Sequence, residues 1–435
     1  MSKSTKTNIN KISVITLGCA KNLVDSERFS GLLQANGFEF TDANNADAMV
    51  INTCGFIKSA KEENVQVILE AAEQRRKGKL KKLIVTGCLS ERYNKELSSQ
   101  IPNVDFFLGI NSDKKILKIL SGDQKYTLTG ERMLFTPKHY AYLKISEGCN
   151  QKCSFCAIPL MRGKHITEPE DKLVKEARGL AERGTKELVL IAQDSTYYGK
   201  DVSKKQSLAV LLSKLSEIEQ LEWIRLMYAY PRQFPLDILD VIAEHPKLCN
   251  YIDMPLQHAS DSVLRSMKRG IKIRKIESLL DTIREKIPNV TLRSTFIVGY
   301  PNETDADFRL LMDFIERQQL DRVGVFTYSH EEGTSAYPLG DPIPEKIKEE
   351  RRAELMLLQQ QISLKKNKNK IGNTLKVMVD GSNENGYFGR SEQDAPDVDN
   401  LIYFNSEHEH KPGDFVKVTI TNAEEYDLFG TLMAN

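Results

Sequence analysis

Tyr142-Leu143-Lys144-Ile145-Ser146-Glu147-Gly148-Cys149-Asn150-Gln151-Lys152-Cys153-Ser154-Phe155-Cys156 is the stretch on which the rest of the chain hangs. A short apolar run, Tyr142 to Ile145, has the length and composition of a strand. A loop follows with three cysteines in the spacing C-x-x-x-C-x-x-C. Three thiolates on one loop can hold three irons of a cubane cluster. Such clusters are normally held by four cysteines, so a set of three leaves one iron open. An open coordination position is also what separates a catalytic metal from a structural one. The alternative is a structural zinc site, which needs four ligands and usually a second paired-cysteine knuckle. No such knuckle lies nearby, and His165 is badly placed to complete one.

Working outward in the C-terminal direction, five more strand-like runs appear: Leu188–Ile191, Ile224–Met227, Tyr251–Met254, Leu292–Val298 and Val323–Thr327. Helical stretches separate most of them, at 170–183, 207–218, 236–243, 260–267, 275–286 and 305–317. Alternating βα units predict a parallel sheet. Six units rather than eight predict a partial (βα)6 TIM-like barrel. The three-cysteine loop follows its first strand, at the C-terminal face where barrel active sites sit.

Working outward in the other direction, the first segment has three continuous apolar runs, Ile12–Gly18, Ala48–Thr53 and Leu83–Gly87. Runs of this kind suit strands buried on both faces, hence a parallel sheet. Helical patterns lie at 24–36 and 58–76, the second with Val65, Ile68, Leu69 and Ala72 at helical spacing. The segment is expected to be an open parallel α/β domain. Cys19, Cys54 and Cys88 each follow one of the three strands. Ligands of open parallel sheets bind at the carboxyl ends of the strands. Three thiolates gathered there would make a second three-cysteine iron–sulfur site, where the alternative is three buried core cysteines.

Residues 345–370 read as a charged helix with part of an apolar face at Leu355, Leu357, Leu358 and Ile362. Its terminal run Lys365-Lys366-Asn367-Lys368-Asn369-Lys370 is read as a solvated linker face rather than a nucleic-acid contact. Beyond Thr374 the pattern turns all-β, with runs at 375–379, 401–404 and 415–420 and glycine turns, as in a small OB-like barrel. The domain division expected is 1–136, 137–371 and 372–435.

The chain has 435 residues, 40% of them hydrophobic and 28% charged, which excludes a disordered or fibrous class. No apolar run reaches the length of a membrane span, and the polar start Met1-Ser2-Lys3-Ser4-Thr5-Lys6 is not a signal peptide. The expectation is a cytoplasmic protein in which seven cysteines are metal ligands or reactive thiols rather than disulfides. Cys249, near a predicted helix end and without a partner cysteine, is read as packing. The net charge of +1 is unevenly spread. From Gly372 onward, Lys376, Arg390, Lys411 and Lys417 face twelve Asp and Glu, a net of −8. The preceding 371 residues carry 57 basic and 48 acidic side chains, a net of +9.

Two three-cysteine clusters in one chain suit one kind of chemistry. One open-cornered cluster can deliver a single electron to a bound cofactor, and the second, with its own open iron, could hold and donate sulfur. The target is a C–H bond whose hydrogen is not acidic, beyond the reach of general-base catalysis. The cofactor carries that step while the protein orients the substrate and excludes water.

The cysteine loop resembles that of the radical S-adenosylmethionine (SAM) enzymes. From about Lys11 to Leu432 the chain resembles their methylthiotransferase branch. The resemblance rests on Gly18-Cys19-Ala20-Lys21-Asn22, Asn52-Thr53-Cys54-Gly55-Phe56, Thr86-Gly87-Cys88-Leu89, Gln193-Asp194-Ser195-Thr196-Tyr197-Tyr198-Gly199 and Pro255-Leu256-Gln257-His258-Ala259-Ser260. It extends to Phe296-Ile297-Val298-Gly299-Tyr300-Pro301-Asn302-Glu303-Thr304 and Tyr328-Ser329-His330-Glu331-Glu332-Gly333-Thr334. It implies a C-terminal TRAM domain and two 4Fe-4S clusters, an auxiliary one on Cys19, Cys54 and Cys88 and a SAM-binding one on Cys149, Cys153 and Cys156. It also implies one SAM as radical source, another as methyl donor, and a methylthio product.

One branch of that family modifies adenosine in tRNA, the other the β-carbon of an aspartate in the twelfth protein of the small ribosomal subunit. An RNA-binding OB-like domain should be basic. This one is acidic, and its loop Gly389–Asp399 resembles that of the RimO-type enzymes. An acidic face attracts a basic protein, so the ribosomal protein, free or in the small subunit, is the expected partner. The alternatives are a tRNA substrate, or acidic residues that only solubilise the surface. A flavodoxin- or ferredoxin-like electron donor and a monomeric state are further expectations. Gln193, His258 and Arg293, at or near strand ends, either position SAM or serve as hydrogen-bonding residues inside the barrel. The family's usual Gly-Gly-Glu is replaced by Gln193-Asp194-Ser195.

Overall fold

Three runs of β-branched and aliphatic residues build the N-terminal sheet. In the computed structural model, which describes residues 9–122, 125–128, 130–202 and 207–433, they become β1 (Lys11–Thr16), β3 (Ala48–Thr53) and β4 (Lys82–Gly87). Two short strands, β2 (Glu39–Phe40) and β5 (Phe106–Phe107), flank them in the parallel order β2-β1-β3-β4-β5. Every residue of β3 is buried, as a central strand covered on both faces requires. One face packs on α2 (Lys58–Arg76) through Ile68, Ala71 and Ala72, together with α4 (Asn94–Gln100) through Leu97. The other packs on α1 (Ala20–Gln34) and α5 (Asp113–Ser121) through Phe29, Leu33, Ile116 and Leu117. The short α3 (Cys88–Arg92) starts where β4 ends. The chain forms two compact units, and this sheet's unit runs to Phe135 and takes in Ala157–Lys164, which holds α6 (Ile158–Arg162).

In the second unit six parallel strands follow one another in chain order: β6 (Tyr140–Lys144), β9 (Glu187–Ile191), β10 (Trp223–Leu226), β11 (Leu248–Asp253), β12 (Thr291–Val298) and β13 (Arg322–Thr327). A small ribbon, β7 (Ser146–Glu147) with β8 (Ile166–Thr167), brackets the cysteine loop. The crossovers hold α7 (Glu170–Glu182), α8 (Leu208–Ser216), α9 (Asp237–Glu244), α10 (Asp261–Ser266), α11 (Ile273–Lys286) and α12 (Asp305–Gln318). A capping box starts α12, with Thr304 and Asp307 satisfying each other's backbone N–H. The expected open barrel of six βα units is what forms. Cys249 lies buried within β11 rather than near a helix end.

The long helix α13 (Glu345–Lys368) leads into five strands, β14 (Thr374–Asn383), β15 (Gly386–Ser391), β16 (Ile402–Asn405), β17 (Phe415–Ala423) and β18 (Leu428–Leu432). They close a barrel in the order β14-β15-β16-β18-β17 around Val377, Ile402, Phe404, Val418 and Ile420. The basic run at the end of α13 is not a solvated face throughout. Lys366 pairs with Asp321 at 2.6 Å, and buried Asn367 donates to the carbonyls of Glu424, Glu425 and Tyr426.

The acidic loop after β15 is the largest departure from expectation. It turns inward against the barrel strands instead of forming an exposed face. Asp394 accepts from Arg322 at 2.6 Å, and Asp399 from Tyr251 at 2.6 Å and Arg293 at 3.3 Å. Asp397 accepts from Tyr142 at 2.9 Å, and the Glu392 carbonyl from Arg225 at 2.6 Å. Arg225 and Arg322 are buried, and a buried guanidinium is costly unless paired. Asp394 and Asp399 thus neutralise the chain's own Arg322 and Arg293. Of the small barrel's exposed acidic residues only Asp397 lies in this loop; the others are Glu384, Glu407, Glu409, Asp414 and Glu424.

Candidate functional site

At the carboxyl edge of the N-terminal sheet, Cys19 caps the start of α1, Cys54 directly follows β3, and Cys88 opens α3. Two glycines let these turns crowd together. Gly18 has φ +95°, and a Cβ there would lie 2.5 Å from the Cys54 Cβ. Gly87 has φ +97°, and its Cβ would lie 2.4 Å from Asn52 Oδ1. Only glycine tolerates both the positive φ and the close approach. Asn22 then ties the turns together. Its Nδ2 donates to the carbonyls of Leu17 (2.9 Å) and Thr53 (3.0 Å), and its Oδ1 lies 3.7 Å from Cys88 Sγ. Thr53 Oγ1 donates to the Thr86 carbonyl at 2.6 Å, and the Cys54 N–H donates to Asn64 at 2.8 Å. From α6, Arg162 donates through Nε to Cys88 Sγ at 3.1 Å, through Nη1 to Asp25 at 2.7 Å, and through Nη2 to Asn22 Oδ1.

These thiols differ in setting. Cys19 is exposed, Cys54 half-buried and Cys88 buried. Burial pushes the Cys88 thiol up to about 12, with Arg162 opposing it, and raises Cys54 in the same sense. A metal binds thiolates, so loading this site releases protons and supplies the positive charge that burial alone withholds. The turns that carry these three cysteines lie at the same carboxyl edge of the sheet.

The second cysteine set sits on the loop after β7, entered through Gly148 at φ +75°. Ser154, between two of the cysteines, anchors it. Its N–H donates to the Met267 carbonyl (2.9 Å), its hydroxyl to the Ser266 carbonyl (2.8 Å), and its own carbonyl accepts from Ala336 (2.8 Å). Phe155 packs against Val263, Met267, Tyr300 and Tyr328. Cys153 Sγ lies 3.3 Å from Arg269 Nη1 and 3.4 Å from the Tyr230 hydroxyl. The buried Arg269 guanidinium stacks 4.2 Å from the Tyr230 ring centroid. Burial raises the Cys149 thiol to about 12. Among the described residues no three Cys, His or carboxylate side chains gather tightly enough for a single metal ion. A cubane, whose ligands each take a different iron, needs sulfurs spread apart. His165, set aside as a ligand, is buried beside Thr167.

Next to this loop Glu147 accepts from Lys144 (2.7 Å) and from Gln193 Nε2 (2.8 Å), while Gln151 donates to Asp194 (2.8 Å). Gln193 Oε1 is buried and has no hydrogen-bond partner among the described residues, which marks a place where a ligand can donate. The other two residues expected near SAM are committed within the chain. His258 is fully buried, accepts at Nδ1 from the Ser260 N–H (2.9 Å), and lies 3.4 Å from Glu303. Arg293 donates to Asp253 (2.9 Å) and Asp399. Asn22, Arg162, Arg269 and Tyr230 escaped the sequence reading as separate site residues. Asn22 alone left a signal, since it closes the Gly18–Asn22 motif.

Three family models match the chain: an uncharacterized protein family, UPF0004, over residues 11–109, the radical SAM superfamily over 143–315, and the TRAM domain over 371–433. Among solved structures, the radical SAM methyltransferase TsrM from Kitasatospora setae, with cobalamin and a [4Fe-4S] cluster bound, is similar at TM-score 0.56. It shares 14% identity and covers 76% of this chain and 77% of its own. The cobalamin-dependent radical enzyme OxsB aligns at TM-score 0.52 and 13% identity, over 77% of this chain and 55% of its own. At these identities the likeness shows the fold alone. The sequence relatives go further. Proteins named ribosomal protein uS12 methylthiotransferase RimO are 51% identical over 428 residues in Cytophaga hutchinsonii (97% of this chain, 98% of that one) and 52% identical over 426 residues in Flavobacterium johnsoniae (97% and 98%). That of Aquifex aeolicus is 47% identical over 424 residues, covering 97% and 96%. With both cysteine sets in place and this agreement along nearly its whole length, the chain belongs to the RimO family of radical SAM methylthiotransferases.

Proposed function

We propose that this protein attaches a methylthio group to the β-carbon of an aspartate in ribosomal protein uS12. The observation that carries the reading is the presence in one chain of two separate three-cysteine sites, each short of the four thiolates of a closed cluster. The full-length likeness to RimO proteins supports the substrate. When bound, two 4Fe-4S clusters and SAM supply the electron, the hydrogen-abstracting radical, the sulfur and the methyl group.

The protein's own residues hold and orient. Cys19, Cys54 and Cys88 are the ligands proposed for the auxiliary cluster, and Cys149, Cys153 and Cys156 for the one that binds SAM. Arg269 and Tyr230 fix the position of the Cys153 sulfur. Ser154 pins the loop so that the three sulfurs keep their spacing. Gln193, held by Glu147, presents its unpartnered oxygen to a donor group of SAM. His258 holds the turn at Ser260 and faces Glu303, and Arg293 ties the acidic loop to the barrel strands.

The domain division proposed is 1–136, 137–371 and 372–435, with a monomer acting in the cytoplasm on the free protein or the small subunit and drawing electrons from a flavodoxin- or ferredoxin-like donor. Among the described residues no helix is long and apolar enough to cross a membrane. The exposed acidic residues of the small barrel favour a basic protein over RNA.

Mass spectrometry of uS12 incubated with the reconstituted enzyme, SAM and reductant tests the reading. The expected product carries one methylthio group in place of one hydrogen on an aspartate. An unmodified uS12 alongside methylthiolated tRNA would overturn it in favour of the tRNA branch.

A further inference from the structure

Arg162 is buried in the N-terminal unit, and all three edges of its guanidinium are engaged: Cys88 Sγ, the Asn22 side-chain oxygen and the Asp25 carboxylate. Asn22 cannot turn to serve anything else, because its amide nitrogen is bonded to the carbonyls that precede the other two cysteine turns. The arginine is thereby held against one sulfur of the set by the same residue that assembles the set. Met161 and Ala157, on the same segment, pack with Ile110 against Cys88 and shut water from that side. Other charged groups near the set include Glu63, Asp25 and Arg92, which donates to the Gly55 carbonyl next to Cys54 (3.3 Å), with Lys21 two positions after Cys19. In sequence, Arg162 stands six positions after Cys156, so the chain that carries the SAM-cluster cysteines runs directly into this contact.

We propose that Arg162 is a positioning residue of the auxiliary cluster, which fixes the Cys88 ligand and raises the cluster's reduction potential through its N–H···S contact and its charge. This rests on the reading of Cys19, Cys54 and Cys88 as cluster ligands. The physical ground is general. Reduction adds negative charge to the cluster, and hydrogen bonds to its sulfurs and nearby positive charge favour the reduced form. In a water-poor pocket the effect of one cation is large. Asp25 fixes the guanidinium without cancelling its N–H donation to sulfur. A buried arginine kept only for packing would not need its Nε aimed at a ligand.

The test uses the full-length chain with Cys149, Cys153 and Cys156 changed to Ala, so that only the auxiliary cluster is reconstituted. Its midpoint potential is read by EPR-monitored redox titration, with iron content determined on the same samples. Arg162→Met is expected to retain iron but to lower the midpoint, leaving about tenfold less reduced cluster at a given potential, about 59 mV for one electron. Arg162→Gln keeps an N–H donor without the charge and should fall between the two. If Arg162→Met fails to load iron, Arg162→Gln against the parent decides. An unchanged midpoint in an iron-loaded variant overturns the proposal. A parent that binds no cluster at all instead overturns the reading of the three cysteines on which it rests.

Discussion

Gly18 shows how narrowly the N-terminal site is built. An alanine there would need φ near +95° and would place its Cβ 2.5 Å from the Cys54 Cβ. Gly18→Ala is expected to destabilise the N-terminal unit by about 1–3 kcal/mol and to cut the iron bound by that unit, while the SAM-cleaving site stays loaded. Iron analysis on a chain lacking the other cysteine set reads this directly, and unchanged iron would contradict it. Cys153 gives the complementary test in the second unit. It is the proposed ligand whose sulfur Arg269 and Tyr230 contact. Cys153→Ala should abolish 5′-deoxyadenosine formation from SAM, followed by chromatography, and leave the auxiliary cluster's iron in place. Continued cleavage would remove Cys153 from its role. Both cysteine sets stand out in the sequence because their members either share one loop or end three successive strands. Arg162 and Arg269 were not, because each meets its sulfur across more than 70 residues of chain, 74 and 116 positions respectively.

Among the elements, the start of β1 rests on one carboxylate. Asp47 accepts from the N–H groups of Asn10 (2.9 Å) and Lys11 (3.0 Å) and pairs with Lys81 at 2.6 Å. The Lys11 N–H and Lys81 hold its acid down to about 2, from an ordinary 3.8. A carboxyl depressed in the folded state adds stability that is full above its unfolded pKa and is lost as pH falls through the folded one. The Asp47 contribution should therefore be intact at pH 5 and disappear between about pH 4 and 2. Asp47→Asn should lose about 1 kcal/mol at pH 7 and differ little from the parent near pH 2, as measured by denaturant unfolding across that range. A loss independent of pH would rule this out. The strands that read cleanly were the unbroken aliphatic ones. β2 and β5 hold two residues each and give no period to detect. β15 and β18 were missed because Gly389 and Gly430 interrupt their apolar patterns. Both lie where a Cβ would strike a neighbouring strand, at 2.1 Å from the Met378 carbonyl oxygen and 2.5 Å from that of Thr419. These glycines mark close strand approach rather than turns.

At the scale of the whole molecule, sequence reasoning found an acidic C-terminal domain and mistook where part of its charge goes. Composition counts charges but cannot see that Arg225, Arg293 and Arg322 on the barrel strands require partners from a loop 70 to 170 positions away. Asp394→Ala would leave Arg322 buried without its carboxylate. Breaking a buried pair from one side costs about 3–5 kcal/mol. Hydrogen exchange should rise across 391–400 and the start of β13, while β1, β3 and β4 keep their protection. Uniform exchange in mutant and parent would show that the loop does not lock the small barrel to the larger one. The account as a whole stands on two open-cornered cubanes in one chain, and iron and sulfide analysis of the anaerobically reconstituted full-length protein tests this most directly. It predicts about eight irons with matching sulfide, falling to about four when either cysteine triplet is changed to alanine. Zinc in place of iron, or about four irons in the unaltered chain, would contradict it.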